Sequence, residues 1–193
     1  MTSVHPIEAE SYRILQERVD LSRFGPLAAA VVARVIHASA DLDYAETMVV
    51  DEAAVRVGVL AIASAAPVVA DVEMVRHGIS GVAVDCYLAE VGEAAAGRAG
   101  LTRSAAAMRL AAERHPEGAV VVIGCAPTAL EEAIRLPWSP ALVIGLPVGF
   151  VGAAEAKRAL RASGRRSISN VGEKGGSAVA AAAVNALVRL AHG

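Results

Sequence analysis

The spacing of hydrophobic and polar positions changes along this chain. Behind Pro6 it predicts a helix over about 7–19, with the proline in the first turn. Residues 20–24 read as a short link, and a second helix follows over about 26–37. Residues 41–64 read as containing further helix, ended by the break at Ala65, Ala66 and Pro67. Beyond that break, short continuous apolar runs alternate with helical spacing. The runs 67–70, 82–86, 119–123 and 141–144 predict buried strands, and 167–171 a fifth, weaker one. A brief helix is expected from Asp71 to Gly78, and two more around 90–97 and 102–114. Others are expected from Pro127, over 152–162, and over 177–190. Apolar strands separated by helices predict an α/β fold: a parallel sheet of about five strands covered on both faces, preceded by N-terminal helices.

Ligands of such sheets bind beyond the carboxyl ends of the strands. That rule selects Asp71 and the segments 124–128, 145–152 and 172–177, all expected on one edge. The stretch 141–157, ALVIGLPVGFVGAAEAK, states the pattern most fully. A buried strand runs into a turn bent by Gly145, Pro147, Gly149 and Gly152, and then into a helix start. Backbone N–H groups at such a place can face a ligand. No linker, low-complexity tract or repeat divides the chain, so residues 1–193 are read as one domain.

Composition narrows the class. Hydrophobic residues make up 55% of the chain but aromatics only 3%, so the core is expected to be built from alanine and valine in closely packed elements. No stretch reads as an unbroken apolar membrane span of roughly 18 residues, so no membrane partner is expected. The first twenty or so positions lack the basic-then-apolar layout of a signal peptide. Cys86 and Cys125 lie in apolar contexts without CxxC spacing, which reads as buried thiols in a reducing cytoplasm. A formal charge of −2 gives no general pull toward nucleic acid.

Common cofactor signatures are missing: no GxGxxG, no GxxxxGK[ST], no HExxH, no Cys/His cluster at metal spacing and no GxSxG. His37 sits near the end of the second helix and shares a face with Ala30 and Ala33, where small side chains leave room for something broad. A helix C-terminus attracts positive charge, and an imidazolium beside a cavity is a general acid or hydrogen-bond donor. On spacing alone, a helix-end histidine bonded to a carbonyl is the plainer alternative. Arg103 opens a helix where the dipole disfavours a cation unless an anion binds beside it, with Thr102 as cap and Ser104 as a further donor. A solvated surface arginine fits the same local pattern. The turns 124–128 and 175–177 could each hold a carboxylate on N–H groups or simply pack helix to strand. Asp71 and Glu73 could meet a ligand, though a helix cap explains Asp71 as well.

Read together, seven segments resemble the precorrin-8X methylmutase family, including its cobalt-precorrin-8 branch. They are SYRILQERVDLSRF (11–24), RVIHA (34–38), PVVADVEMVRHGI (67–79), LTRSAAAMRLAAE (101–113), IGCAPTALEE (123–132), GLPVGFVGAAEAK (145–157) and GEKGGSAVAAAAVNAL (172–187). The resemblance implies a flavodoxin-like α/β fold and a cytoplasmic isomerase of cobalamin biosynthesis. Such an enzyme moves a methyl group between adjacent carbons of a contracted tetrapyrrole by a [1,5]-sigmatropic shift. The product would be hydrogenobyrinate, or cobyrinate on the cobalt route. The family needs no redox cofactor and no catalytic metal.

The resemblance places the catalytic histidine on His37, as proton or hydrogen-bond donor to a ring nitrogen. It places substrate contacts on Arg13, Asp71, Met74, Thr102, Arg103, Ser104, Pro127, Thr128, Gly149, Lys174, Gly175, Gly176 and Ser177. The implied partners are the corrinoid substrate, a second copy of the chain in a homodimer with substrate near the interface, and the next pathway enzyme at hand-over. Two positions depart from the family pattern. Cys125 stands where asparagine is usual, removing one polar contact. Glu173 and Lys174 follow Gly172 where relatives often begin Gly-Arg, so Lys174 would carry the charge. A corrinoid carrier without turnover, or another small-molecule α/β enzyme with a histidine acid, are the alternative readings.

Overall fold

A computed structural model describes residues 5–193. Its sheet has five strands in the order β1-β5-β4-β3-β2. Four of them, β2 (Val68–Ala70), β3 (Val120–Ile123), β4 (Leu142–Gly145) and β5 (Ser167–Asn170), run parallel. The fifth, β1 (Met48–Val50), pairs antiparallel with β5, so the sheet is mixed rather than wholly parallel.

Residues 41–64 hold the expected further helix, with a strand inside that the sequence pattern does not announce. A single turn α3 (Tyr44–Thr47) leads into β1, and α4 (Glu52–Ala63) starts only after Asp51. Met48 is buried and Val49 exposed, the alternation of an edge strand. Asp51 ends the strand and caps α4 by accepting from Ala54 N–H at 2.9 Å. Conversely, 82–86 is no full strand. It makes one parallel bridge, Asp85 to Val69, through two N–H···O bonds of 2.8 Å between Asp85 and the backbone of Val68 and Ala70. With no neighbour on its other side, this edge has nothing to extend the ladder. Counting that remnant, the parallel part follows the flavodoxin-like order 2-1-3-4-5.

Side-chain alternation feeds two cores. On β3, Val120 and Val122 face one layer while Val121 and Ile123 face the other; on β4, Leu142 and Ile144 oppose Val143. The first layer holds α2 (Pro26–Ser39), α4, α5 (Glu73–Gly78) and α10 (Ser177–His192). The second holds α7 (Arg103–Arg114), α8 (Pro127–Arg135) and α9 (Ala153–Ala162). Between them in sequence, a short α6 (Glu93–Arg98) precedes α7. Helix α1 (Pro6–Arg18) lies outside α2 and contributes only Leu15 to the core. Alanine lets α10 sit deep: a Cβ on Gly124 would come within 2.8 Å of Ala180 and Val75, so the turn after β3 is clamped between α10 and α5. Among the described residues, no helix is long and apolar enough to cross a membrane.

Candidate active site

The strand ends bring the selected segments to one edge. Asp71 follows β2 and is fully buried. Its Oδ1 accepts from Gly124 N–H at 3.2 Å, and its Oδ2 from Cys125 and Ala126 N–H at 2.9 Å each. These N–H groups precede α8 and form the anion-binding nest that the sequence suggested for substrate. The anion in it is the protein's own. Burial pushes the Asp71 carboxyl above its ordinary value, against the pull of the three N–H donors. Asp71 thus fills the 124–126 turn as a cap of α8 would, the plainer of its two readings.

The loops after β4 and β5 are joined to each other. Gly176 N–H donates to Leu146 O at 2.8 Å, and Gly149 N–H to Glu173 O at 3.1 Å. Gly175 has φ +157°, and a Cβ there would lie 2.2 Å from Leu146 O, so only glycine fits this close approach. Beneath the turn, the buried Lys157 of α9 donates to Asn170 Oδ1 at 3.0 Å and to Lys174 O at 2.5 Å. The Lys174 ammonium donates to Asp41 at 2.7 Å and Asp43 at 2.6 Å. These two carboxylates raise its pKa above the ordinary lysine value, and Lys174 in turn lowers that of Asp41. Lys174 thus ties the glycine turn to the segment just after α2 rather than standing as an unpaired cation. Ser177, the first residue of α10, is buried, and its Oγ has no hydrogen-bond partner among the described residues.

That tie brings the end of α2 to the same edge. His37 sits in the last turn of α2, half-buried. Its Nδ1 lies 2.8 Å from Ser11 Oγ of α1, and its ring stacks on Tyr12 with centroids 5.0 Å apart and planes 12° from parallel. A hydroxyl, not a carbonyl, is its partner. With Nδ1 engaged, Nε2 is the nitrogen left for a ligand. Tyr12 also lines a groove of about 620 Å³ between α1, α2 and α10, into which Ala30, Ala33, Arg34 and Arg189 face. Glu8 bridges the two arginines, at 2.9 Å from Arg34 and 2.7 Å from Arg189, and their charge holds its carboxyl below the ordinary range.

The expected residues of α7 and α8 lie apart from His37, across the sheet. Thr102 caps α7 by accepting from Ala105 N–H at 3.2 Å, and its Oγ1 is 2.8 Å from Thr128 Oγ1. Pro127 opens α8, and Ser104 is half-buried in the first turn of α7. Arg103 donates to Val91 O at 3.0 Å and Leu88 O at 2.9 Å, anchoring a loop rather than standing solvated. Arg13 is exposed and pairs with Glu10 and Glu17 on its own helix. Met74, 70% exposed, joins Val148, Phe150, Val151 and Val171 in exposed apolar positions on the strand-end loops and the first turn of α5. Sequence reasoning missed Ser11 and Tyr12 as partners of His37, Asp41 and Asp43 as partners of Lys174, and Lys157 altogether. Among the described residues, no cluster of three His, Cys, Asp or Glu side chains could hold a metal ion.

A flavodoxin-like layout with glycine turns at its strand ends, and a histidine braced by a hydroxyl and an aromatic ring, defines an α/β protein whose strand-end edge carries its candidate chemistry. The chain belongs to the precorrin-8X methylmutase family, whose model matches residues 6–190. It is 40% identical over 184 residues to the cobalt-precorrin-8 methylmutase of Methanocaldococcus jannaschii, covering 92% of this chain and 86% of that protein. It is 38% identical to the precorrin-8X methylmutase of a Sinorhizobium species, covering 95% of this chain and 93% of that protein. The crystal structure of a precorrin-8X methylmutase from Thermus thermophilus matches with a TM-score of 0.86 at 41% identity, over 96% of this chain and 95% of that one. The protein is accordingly an isomerase of cobalamin biosynthesis, an intramolecular methyl-transferring enzyme.

Proposed function

We propose that this enzyme converts precorrin-8X, or its cobalt counterpart, by a [1,5]-sigmatropic methyl shift in which His37 Nε2 gives a proton or hydrogen bond to a ring nitrogen. The methyl group breaks its bond to one ring carbon as it bonds the adjacent one, so no outside donor or oxidant enters. The observation that carries this reading is the bracing of His37. Ser11 engages Nδ1 and Tyr12 fixes the ring plane, leaving Nε2 aimed by the fold rather than by solvent. Substrate carboxylates are held by the start of α10, at the Gly175 N–H and Ser177, with Gly176, Gly149 and the paired Lys174 shaping the turn around them. Thr102, Ser104, Pro127, Thr128 and Met74 border the macrocycle. Arg103 contributes by fixing the loop before α7, and Arg13 reaches substrate only from another part of the assembly.

The apolar rim of Met74, Val148, Phe150, Val151 and Val171 supports a homodimer in which a second copy covers this edge and encloses the substrate. The free thiols Cys86 and Cys125 fit a cytoplasmic enzyme, and hand-over would pass the product directly to the next pathway enzyme.

The test is the absorption spectrum of the protein mixed with precorrin-8X and, separately, with cobalt-precorrin-8. Conversion of either to the product spectrum establishes the reaction and the route. His37→Ala is expected to bind product and lose turnover. Binding without conversion by the native protein would make it a carrier, and full turnover by His37→Ala would end the role given to His37.

A further inference from the structure

Lys157 is among the largest side chains wholly removed from solvent in this protein, and among the described residues no carboxylate pairs with it. A buried ammonium without a counter-ion is costly to desolvate, and packing alone would be served better by a methionine of similar shape. Its two partners are Asn170 Oδ1 and the main-chain carbonyl of Lys174. Asn170, itself buried, adds a second donor to the same carbonyl, with Nδ2 at 2.9 Å from Lys174 O.

Across that peptide bond lies the Gly175 N–H, which finds no acceptor among the described residues. A cation on the carbonyl oxygen draws electron density through the amide and strengthens the N–H on its far side as a donor. The next N–H, of Gly176, is already taken by Leu146 O. The 16-residue α10 begins immediately after, adding the positive end of its dipole and the unpartnered Ser177 Oγ.

We propose that Lys157 is a positioning residue for the methyl shift: its buried ammonium fixes the 174–177 turn and strengthens the Gly175 N–H as donor to one substrate carboxylate. This rests on the reading that the turn holds such a carboxylate.

Burial, reinforced by Arg161 on the same helix, lowers Lys157 to about 8, with Glu173 of the turn opposing. The charged groups around it are Arg161, with Arg158 beside that, from α9, and Glu173 from the loop; the Lys174 ammonium is turned away to Asp41 and Asp43. The cation exists below about pH 8 and is lost above it. Affinity for the acidic ligand therefore falls as pH rises through that value.

The experiment compares native protein, Lys157→Met and Lys157→Gln. It measures kcat and KM on whichever substrate the native protein converts, product binding by absorption titration, and urea unfolding, from about pH 6.5 to about 9.5. Lys157→Met is expected to unfold at an equal or higher urea concentration than native protein. Its KM and product Kd should rise about tenfold at neutral pH, with kcat changed less than about threefold. Native KM should climb above pH 8, and that climb should vanish in the variant. Lys157→Gln keeps a donor without the charge and decides the case if the methionine variant does not fold; its KM should also lose the climb. A native protein that converts substrate beside variants with unchanged KM and pH profile overturns the proposal alone, as does a loss that merely follows unfolding. A native protein that neither converts nor binds a corrinoid overturns the reading beneath it as well.

Discussion

Asp71→Asn tests what occupies the nest before α8. In the native protein both carboxylate oxygens accept, Oδ1 from one N–H and Oδ2 from two. An asparagine can turn its oxygen toward Cys125 and Ala126, where the bonds are 2.9 Å, but its NH₂ then faces the Gly124 N–H at 3.2 Å. Loss of the charge weakens the two retained bonds by about 1 kcal/mol each, and the opposed donor costs about 1–3 kcal/mol. Burying a neutral amide in place of a carboxylate returns about 1 kcal/mol. The net loss is about 3 kcal/mol, or roughly 6–12 °C in Tm for a chain of this size. Thermal or urea unfolding at neutral pH measures it, alongside kcat and KM. A variant with native Tm and greatly raised KM would refute the reasoning and return Asp71 to the role of substrate ligand. A Tm loss of the expected size, with product binding kept once folded, supports a structural anion.

Gly175→Ala should destabilise by about 3 kcal/mol or more, because the added carbon lies 2.2 Å from Leu146 O in a backbone conformation that alanine avoids; urea unfolding measures this. Ser11→Ala removes the Nδ1 partner of His37 and should lower kcat about tenfold while KM moves little, since ring orientation and not substrate contact is lost; an unchanged kcat would remove Ser11 from the site. Phe150→Asp puts a charge on the most exposed of the apolar rim residues, 96% accessible, and should yield monomer by light scattering with stability within about 0.5 kcal/mol of native; a variant that stays dimeric would move the interface elsewhere.

The strands β2, β3 and β4 were legible because each is a short run buried on both faces, which leaves a continuous apolar signal; β5, with Ile168 as its one apolar residue, gave a weaker one. β1 was not, because three residues between two helical segments carry no period of their own, and their partner strand lies more than a hundred residues away. The segment 82–86 shows the reverse: strand-forming residues were present, but a neighbouring strand on only one side left them a single bridge. At the site, the 124–126 turn was read as a place for a carboxylate but not which one: the carboxylate that fills it comes from a residue 53 positions earlier. His37 and Ser11 are 26 apart and meet only because α1 folds back on α2. Lys157 looked like any charged residue of an amphipathic helix; its burial is set by β5 and the loop beyond it, which no local pattern reports.

The placement of Asp71 reaches further than stability. In a sheet of this strand order, the crevice between the first and third strands is where nucleotide phosphates commonly settle. Here that seat carries a fixed carboxylate, so a phosphate would meet like charge and no unclaimed amide. A mononucleotide or flavin phosphate, which on other scaffolds of this order finds amides waiting there, would find them already claimed.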